Sequence, residues 1–301
     1  MRTINEGNYI DAVTGEVIPV SANSVIRSDE ERQRIRKALE GKEETKRFKG
    51  NNCGDFFWSL YNVGEEYYPN VDDSMLAKVV YLLTYLDYEK NILVVRDSAN
   101  APCRPMTKKD VERVIRLHRC NFSRFWKELM ETGIITEQED GSLLVCERFR
   151  RGHLTKKDRN GMAAMKLFTH CVRYLYENID VRGHQYLSYL YRLMPFINLK
   201  YNVFCSNPLE NDKMKLRWLT AKEMCEILGY SESNEKRLLR TLFQLTFEDR
   251  NGDMRSVITT ISNTKNGEMR NFITINPQFY AGYISQEDMM EINFKFALDN
   301  V

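Results

Sequence analysis

Arg124 and Lys127 stand three residues apart, and 113 residues later Arg237 and Arg240 repeat the spacing. A guanidinium offers a planar fork of donors that fits guanine O6 and N7, or two phosphate oxygens. An ammonium pairs with phosphate as a compact charge. Ser123 and Lys236 precede the two arginines and add a hydroxyl and a second ammonium. Neighbours three to four residues apart share one face of a helix. The chemistry expected of these six side chains is recognition of a polyanion, with no bond made or broken. The chain reads as a binding protein, not an enzyme, and needs no cofactor.

Covalent and metal chemistry finds less support. The four histidines (118, 153, 170, 184) form neither HxH nor HExxH, and the seven cysteines form no CxxC pair. A zinc site therefore has no obvious ligand set. An odd, scattered set of thiols reads as reduced cysteines rather than a disulfide framework. No GxxxxGK[ST] or GxSxG is present. His170 and Arg173 spell HxxR, with His184, Tyr189 and Tyr191 downstream, but their spacing is too short for a tyrosine recombinase. They read as packing and surface residues.

The elements that must position the basic side chains recur in order. Residues 106–117 read MTKKDVERVIRL and residues 219–230 read LTAKEMCEILGY. At the same offset Asn121 matches Asn234, and Leu129 matches Leu242. Upstream, 81–94 resembles 191–205. Downstream, Leu143, Val145, Phe149 and Gly152 match Ile273, Ile275, Phe279 and Gly282 at an offset of 130. The second copy thus carries about 17 extra residues, placed in a hairpin. Such order predicts an internal duplication.

In the first copy, Thr107 and Asp110 make a helix start. After a polar break at 118–121, Phe122, Phe125, Trp126, Leu129 and Met130 trace the stripe of a helix buried on one side. Thr132-Gly133 ends it. Two short strands follow around Asp140-Gly141. The second copy has Thr220 and Glu223 at its helix start, Gly229 at the turn and a second helix over 234–245. Strands at 257–261 and 271–275 flank Asn266-Gly267, a hairpin signal. Helix, turn, helix, hairpin is the winged helix-turn-helix pattern. The fold expected is mainly α with small β-hairpins, an α+β chain of tandem winged helix-turn-helix domains joined by a helix. The second helix of each fits a major groove about 12 Å wide.

The wings differ. The first carries Glu137, Glu139 and Asp140, which repel phosphate, whereas the second carries Lys265 and Arg270. After the first wing come Arg148, Arg150, Arg151, Lys156, Lys157 and Arg159, read either as a phosphate-tracking arm or as a solvated linker. Residues 161–179 are expected as an apolar helix that packs the domains together or forms a homodimer seam. Expected boundaries are 1–50 for a hairpin and charged linker, 51–158 for the first domain, and 159–182 for the connecting helix. The second domain follows at 183–284 and a tail helix at 285–301.

Composition agrees with a globular protein: 301 residues, 43% hydrophobic, 29% charged. The net charge is only +2, yet residues 101–175 hold 16 basic against 9 acidic side chains. That local excess suits a polyanion-facing patch. The longest apolar run, near Val79–Leu86, falls far short of the roughly 18 residues a membrane span needs. The N-terminus lacks secretory character. A location in a bacterial cytosol, off the membrane, is expected.

The N-terminal run Asp11-Ala-Val-Thr-Gly-Glu-Val-Ile18, the first copy, and Ile275-Asn-Pro-Gln-Phe-Tyr-Ala-Gly282 resemble the RepL-type replication proteins of Gram-positive plasmids and phages. The resemblance covers residues 1–20 and the two winged-helix blocks. The chain departs from that family in carrying two winged helices, the plan of larger theta-type plasmid initiators. The resemblance implies binding to an origin or operator on a mobile element, with replication or phage proteins as partners, and supplies no catalytic residue. A two-winged transcriptional regulator, and a protein-interaction module built on winged helices, remain open from the residues alone.

Overall fold

The computed structural model describes residues 7–10, 17–20, 54–65, 67–68, 71–265 and 268–281, with backbone alone at 7–10, 17–20 and 261–271. The chain divides into two units, 1–49 and 50–301. In the first, β1 (Gly7–Ile10) pairs antiparallel with β2 (Val17–Val20), Ile10 opposite Val17. This is the expected hairpin. The charged stretch 28–49 and the tail 285–301 lie outside the described residues.

The second unit is mixed α+β, with eight α-helices and small antiparallel sheets among its described residues. It begins with β3 (Phe56–Tyr61) and α1 (Asp73–Leu83). Asp72 caps α1 by accepting from the Ser74 amide at 2.7 Å, and eight of its eleven residues are buried. Then come β4 (Val94–Val95), β5 (Arg104–Pro105), α2 (Lys108–Ile115) and α3 (Arg119–Glu131). The hairpin β6 (Ile135–Glu137) and β7 (Leu143–Val145) leads to β8 (Phe149–Arg150) and α4 (Lys156–Arg159).

Next lie β9 (Ala163–Phe168), α5 (Thr169–Asn178) and α6 (His184–Arg192). The chain continues with α7 (Ala221–Ile227), α8 (Glu235–Phe243) and the hairpin β10 (Thr246–Glu248) and β11 (Met254–Ser256). A longer hairpin, β12 (Ile258–Lys265) with β13 (Glu268–Ile275), precedes β14 (Tyr280–Ala281). The two hairpins together account for the extra length of the second block.

The same main-chain bonds occur twice. Leu93 donates to the Leu143 carbonyl at 2.9 Å, and Phe204 to that of Ile273 at 3.0 Å. Asp87 donates to Ile92, and Asn198 to Val203, each at 2.8 Å. Asn91 and Asn202 both adopt left-handed backbone (φ 54° and 55°), a region asparagine enters more readily than most residues. Their side-chain amides donate to the carbonyls of Val145 and Ile275, at 2.7 and 3.2 Å. Helix starts match as well: Thr107 with Asp110 and Thr220 with Glu223 both form capping boxes. The duplication read from the sequence is therefore present as repeated geometry.

The blocks are joined by one four-stranded sheet in the order β14-β9-β3-β8. Its centre is the antiparallel pair β3 and β9, with Trp58 opposite Lys166 and Ser59 opposite Met165. Above all, this corrects the connecting helix expected at 159–182. Residues 163–168 are a central strand, and only 169–178 are helical. Met165, Leu167, Val172 and Leu175 are fully buried within the chain. The main hydrophobic core runs from Phe57 to Ala281 through both blocks, with a small second cluster around Val203, Cys205 and Leu216. α1 packs on α6, α3 on α1 and α8 on α6. Arg192 of α6 holds Asp73 at 2.5 Å and the Val71 carbonyl at 2.5 Å, clamping the start of α1.

Candidate nucleic-acid interface

α3 forms where its sequence places apolar groups on one side. Phe122, Phe125, Trp126 and Leu129 are buried, and Met130 is half-buried. The helix starts at Arg119, earlier than the expected polar break allowed, because α2 already ends at Arg116 in left-handed backbone. Arg119, Ser123, Arg124 and Lys127 all lie exposed. Arg119 escaped the sequence reading because it was assigned to the break. Its spacing of four from Ser123 and eight from Lys127 puts it on the same stripe. Ser123 already donates to the Arg119 carbonyl at 3.2 Å, so its hydroxyl keeps acceptor capacity. Lys127 approaches Glu131 only at 3.9 Å, with both side chains exposed, a pairing worth little.

α8 repeats this arrangement. Leu238 and Leu242 are buried, while Lys236, Arg237 and Arg240 are exposed. Arg124, Lys236, Arg237 and Arg240 have no carboxylate partner among the described residues. Four cations are thus held on two rigid helices with their heads in solvent.

The basic stretch after the first wing is organised differently from a free arm. Arg150 pairs with Asp158 at 2.8 Å, and Arg151 with Asp55 at 2.6 Å. Both arginine side chains are partly buried and committed to carboxylates. Gly152, at φ +95°, turns the chain, and an added Cβ there would meet the Tyr88 carbonyl at 2.9 Å. Its own carbonyl accepts from Trp58 Nε1 at 2.9 Å. Thr155 and Asp158 then form a capping box that starts α4 and leaves Lys156 and Lys157 exposed. Of the basic residues read in this stretch, Arg150 and Arg151 are committed, whereas Arg148, Lys156 and Lys157 stay exposed.

The β6–β7 hairpin presents Glu137, Glu139 and Asp140 to solvent. Two hydrogen bonds from Ser142 hold the Asp140 carboxyl below its ordinary range, so the tip stays anionic. The β12–β13 register sets Lys265 opposite Glu268 and Asn263 opposite Arg270. The side chains of Lys265 and Arg270 lie outside the described residues, as does the Asn266-Gly267 turn.

The start of α2 is tied to β5 by a charge cluster. Asp110, 5% exposed, accepts from Arg104 at 2.7 and 3.0 Å, from Arg113 at 3.0 Å and from the Thr107 amide and hydroxyl at 2.9 Å. The Arg104 bonds, foremost, hold its carboxyl far below the usual range. The anionic form is therefore favoured by folding, and its contribution is complete above the unfolded value near 3.9. It fades as pH falls below that value toward the folded one. Asp110→Asn should lose about 2 kcal/mol at pH 7, from the weakened cap and the lost ion pairs with Arg104 and Arg113, Arg104 keeping its pair with Asp97. The deficit should shrink as the wild type is taken below pH 4, as urea unfolding at several pH values would show.

The residues of the HxxR motif do not share a site. His170 Nε2 meets the Glu248 carbonyl at 2.7 Å, and Arg173 donates to Thr84 Oγ1 at 2.9 Å. Tyr191, 1% exposed, stacks on Phe279. His184 is stacked on Tyr176 with Nε2 at 3.0 Å from the Tyr176 carbonyl. The tyrosines form buried hydroxyl pairs: Tyr68 donates to Tyr67 at 2.7 Å, Tyr67 meets Ser59, and Tyr61 meets Tyr280 at 3.2 Å. Burial pushes the Tyr67 hydroxyl up to about 12, which keeps it protonated at neutral pH. Among the described residues no three His, Cys, Asp or Glu side chains are grouped to hold a metal. No described helix is long and apolar enough to cross a membrane.

Comparison with protein-family models, with curated proteins and with solved structures returned no match for this chain.

Proposed function

We propose that each block is a winged helix-turn-helix and that the chain binds double-stranded DNA in a sequence-specific manner, acting in replication initiation or its control on a phage or plasmid. α2 with α3, and α7 with α8, are the helix pairs; β6–β7 and the β10–β13 hairpins are the wings. α3 and α8 are the recognition helices. The observation that carries the reading is that Arg124 and Arg237, at equivalent places on α3 and α8, are both exposed and without a carboxylate partner among the described residues. An exposed helix face usually offsets its cations with nearby acids, as Lys127 does in part with Glu131. Arg124 and Arg237 stand at the same position twice with no such acid among the described residues. Arginine at such a place pairs bidentately with guanine, and flanking lysines track phosphate.

A protein-interaction reading draws support from the anionic tip of the first wing, which suits a basic partner surface rather than DNA. It gives no role to the free arginines.

Footprinting and gel shifts on the chain's own gene and its flanks, at two salt concentrations, test the proposal. Protection of short repeats beside an AT-rich stretch supports the replication role. Protection over a promoter supports DNA binding but replaces initiation with regulation of transcription. Absence of any specific shift at low salt overturns the DNA reading in favour of the protein-interaction one.

A further inference from the structure

The two blocks meet in a way that fixes their relative orientation. The rotation that carries β3 onto β9 also carries β8 onto β14, because the sheet runs β14-β9-β3-β8. β3 and β9 are paired antiparallel. Two equivalent, adjacent, antiparallel strands are related by a half-turn about an axis normal to the sheet, here through the opposed pair Trp58–Lys166, since Ser59 pairs with Phe149 as Leu167 pairs with Tyr280. The helix contacts repeat in the same order on the two sides. α1 packs on its counterpart α6, and each carries its own recognition helix, α3 on α1 and α8 on α6. The repeated hydrogen bonds of Leu93 and Phe204, and of Asn91 and Asn202, show that each block keeps the same internal geometry.

We infer that a single chain supplies both halves of a two-fold DNA-reading surface, and that its target is one site of two inverted, non-identical half-sites occupied by one chain. The inference rests on the proposed DNA binding and adds the orientation and stoichiometry. Dimeric helix-turn-helix proteins match protein two-fold symmetry to DNA two-fold symmetry, with half-sites one helical turn or a multiple apart. Here the axis lies inside the chain, so no second copy is needed to complete the surface. Arg124 and Arg237 are equivalent, so each half-site carries a guanine at the same position. Ser123 is the equivalent of Lys236 and Lys127 that of Arg240, so the flanking positions differ. The first half-site meets an acidic wing and the second a wing with Lys265 and Arg270.

The test is selection of bound duplexes from a random-sequence pool by the full chain, followed by native mass spectrometry on the selected duplex. The expected result is two inverted half-sites and one chain per duplex. Arg124→Ala should relax base preference in one half-site and Arg237→Ala in the other, each by about tenfold. Half-sites in direct orientation, a single half-site, or two chains per site would overturn the internal two-fold reading and leave DNA binding standing. No enriched sequence would overturn sequence-specific binding itself. Both arginines are exposed, and thermal unfolding of each variant confirms that the fold is kept.

Discussion

Replacing Arg124, Lys127, Arg237 and Arg240 together by alanine is expected to weaken duplex binding by about a thousandfold or more. Each such arginine contact with a base is worth about 1–3 kcal/mol, and losing several multiplies the effect. The salt dependence should change with the affinity. If each of the four side chains releases one phosphate counterion, together they contribute about −3.6 to the log–log slope. The variant should therefore bind more weakly and also respond less steeply to salt. All four side chains are exposed, so the thermal midpoint should shift little. Fluorescence anisotropy over a salt series reads both quantities. A variant that keeps wild-type affinity and slope would remove α3 and α8 from the interface.

The second large effect concerns the core. Met165→Glu is expected to cost at least about 4 kcal/mol, because a carboxylate would be forced into a fully buried position between Ser59 and the helices. That is a large share of the roughly 5–15 kcal/mol that holds a domain together. Were 161–179 an apolar helix packed between two separate bodies, the same change would weaken their contact and leave each block its own unfolding transition. Urea unfolding separates the two. A single, strongly destabilised transition is the result that the shared sheet requires, since both blocks lean on β3 and β9.

Local signals were legible wherever local chemistry decides structure. Thr107 with Asp110 and Thr220 with Glu223 marked their helix starts, because an N-cap hydroxyl and an acid three residues on satisfy the same free amides. The stripe of Phe122, Phe125, Trp126 and Leu129 marked the buried side of α3, which left the cationic face by subtraction. The strand β9 was not legible. A central strand covered on both faces loses its period of two, and Ala163–Phe168 ran into the helical pattern of α5 without a break. The hairpin β10–β11 was likewise absorbed into the extra length of the second block.

Partners distant in sequence could not be read at all. Arg151 looked free until the fold brought Asp55 within 2.6 Å of it, 96 residues away in the chain. Arg150 had Asp158 only eight residues on, but the turn at Gly152 that unites them depends on tertiary contact with Trp58 and Tyr88. The internal two-fold axis has the same character. Sequence comparison found equivalent residues, whereas the antiparallel pairing of β3 with β9 set how the equivalents face one another.

Methylation interference is the most direct test of the central claim, because N7 of guanine lies in the major groove, where α3 and α8 are proposed to enter. Duplexes bearing the bound sequence are sparsely methylated, incubated with the full chain, and separated into bound and free fractions. The account predicts two clusters of guanines whose N7 methylation prevents binding, one lost in Arg124→Ala and the other in Arg237→Ala. Uniform recovery of methylated guanines in the bound fraction, or interference confined to adenine N3 in the minor groove, would contradict it.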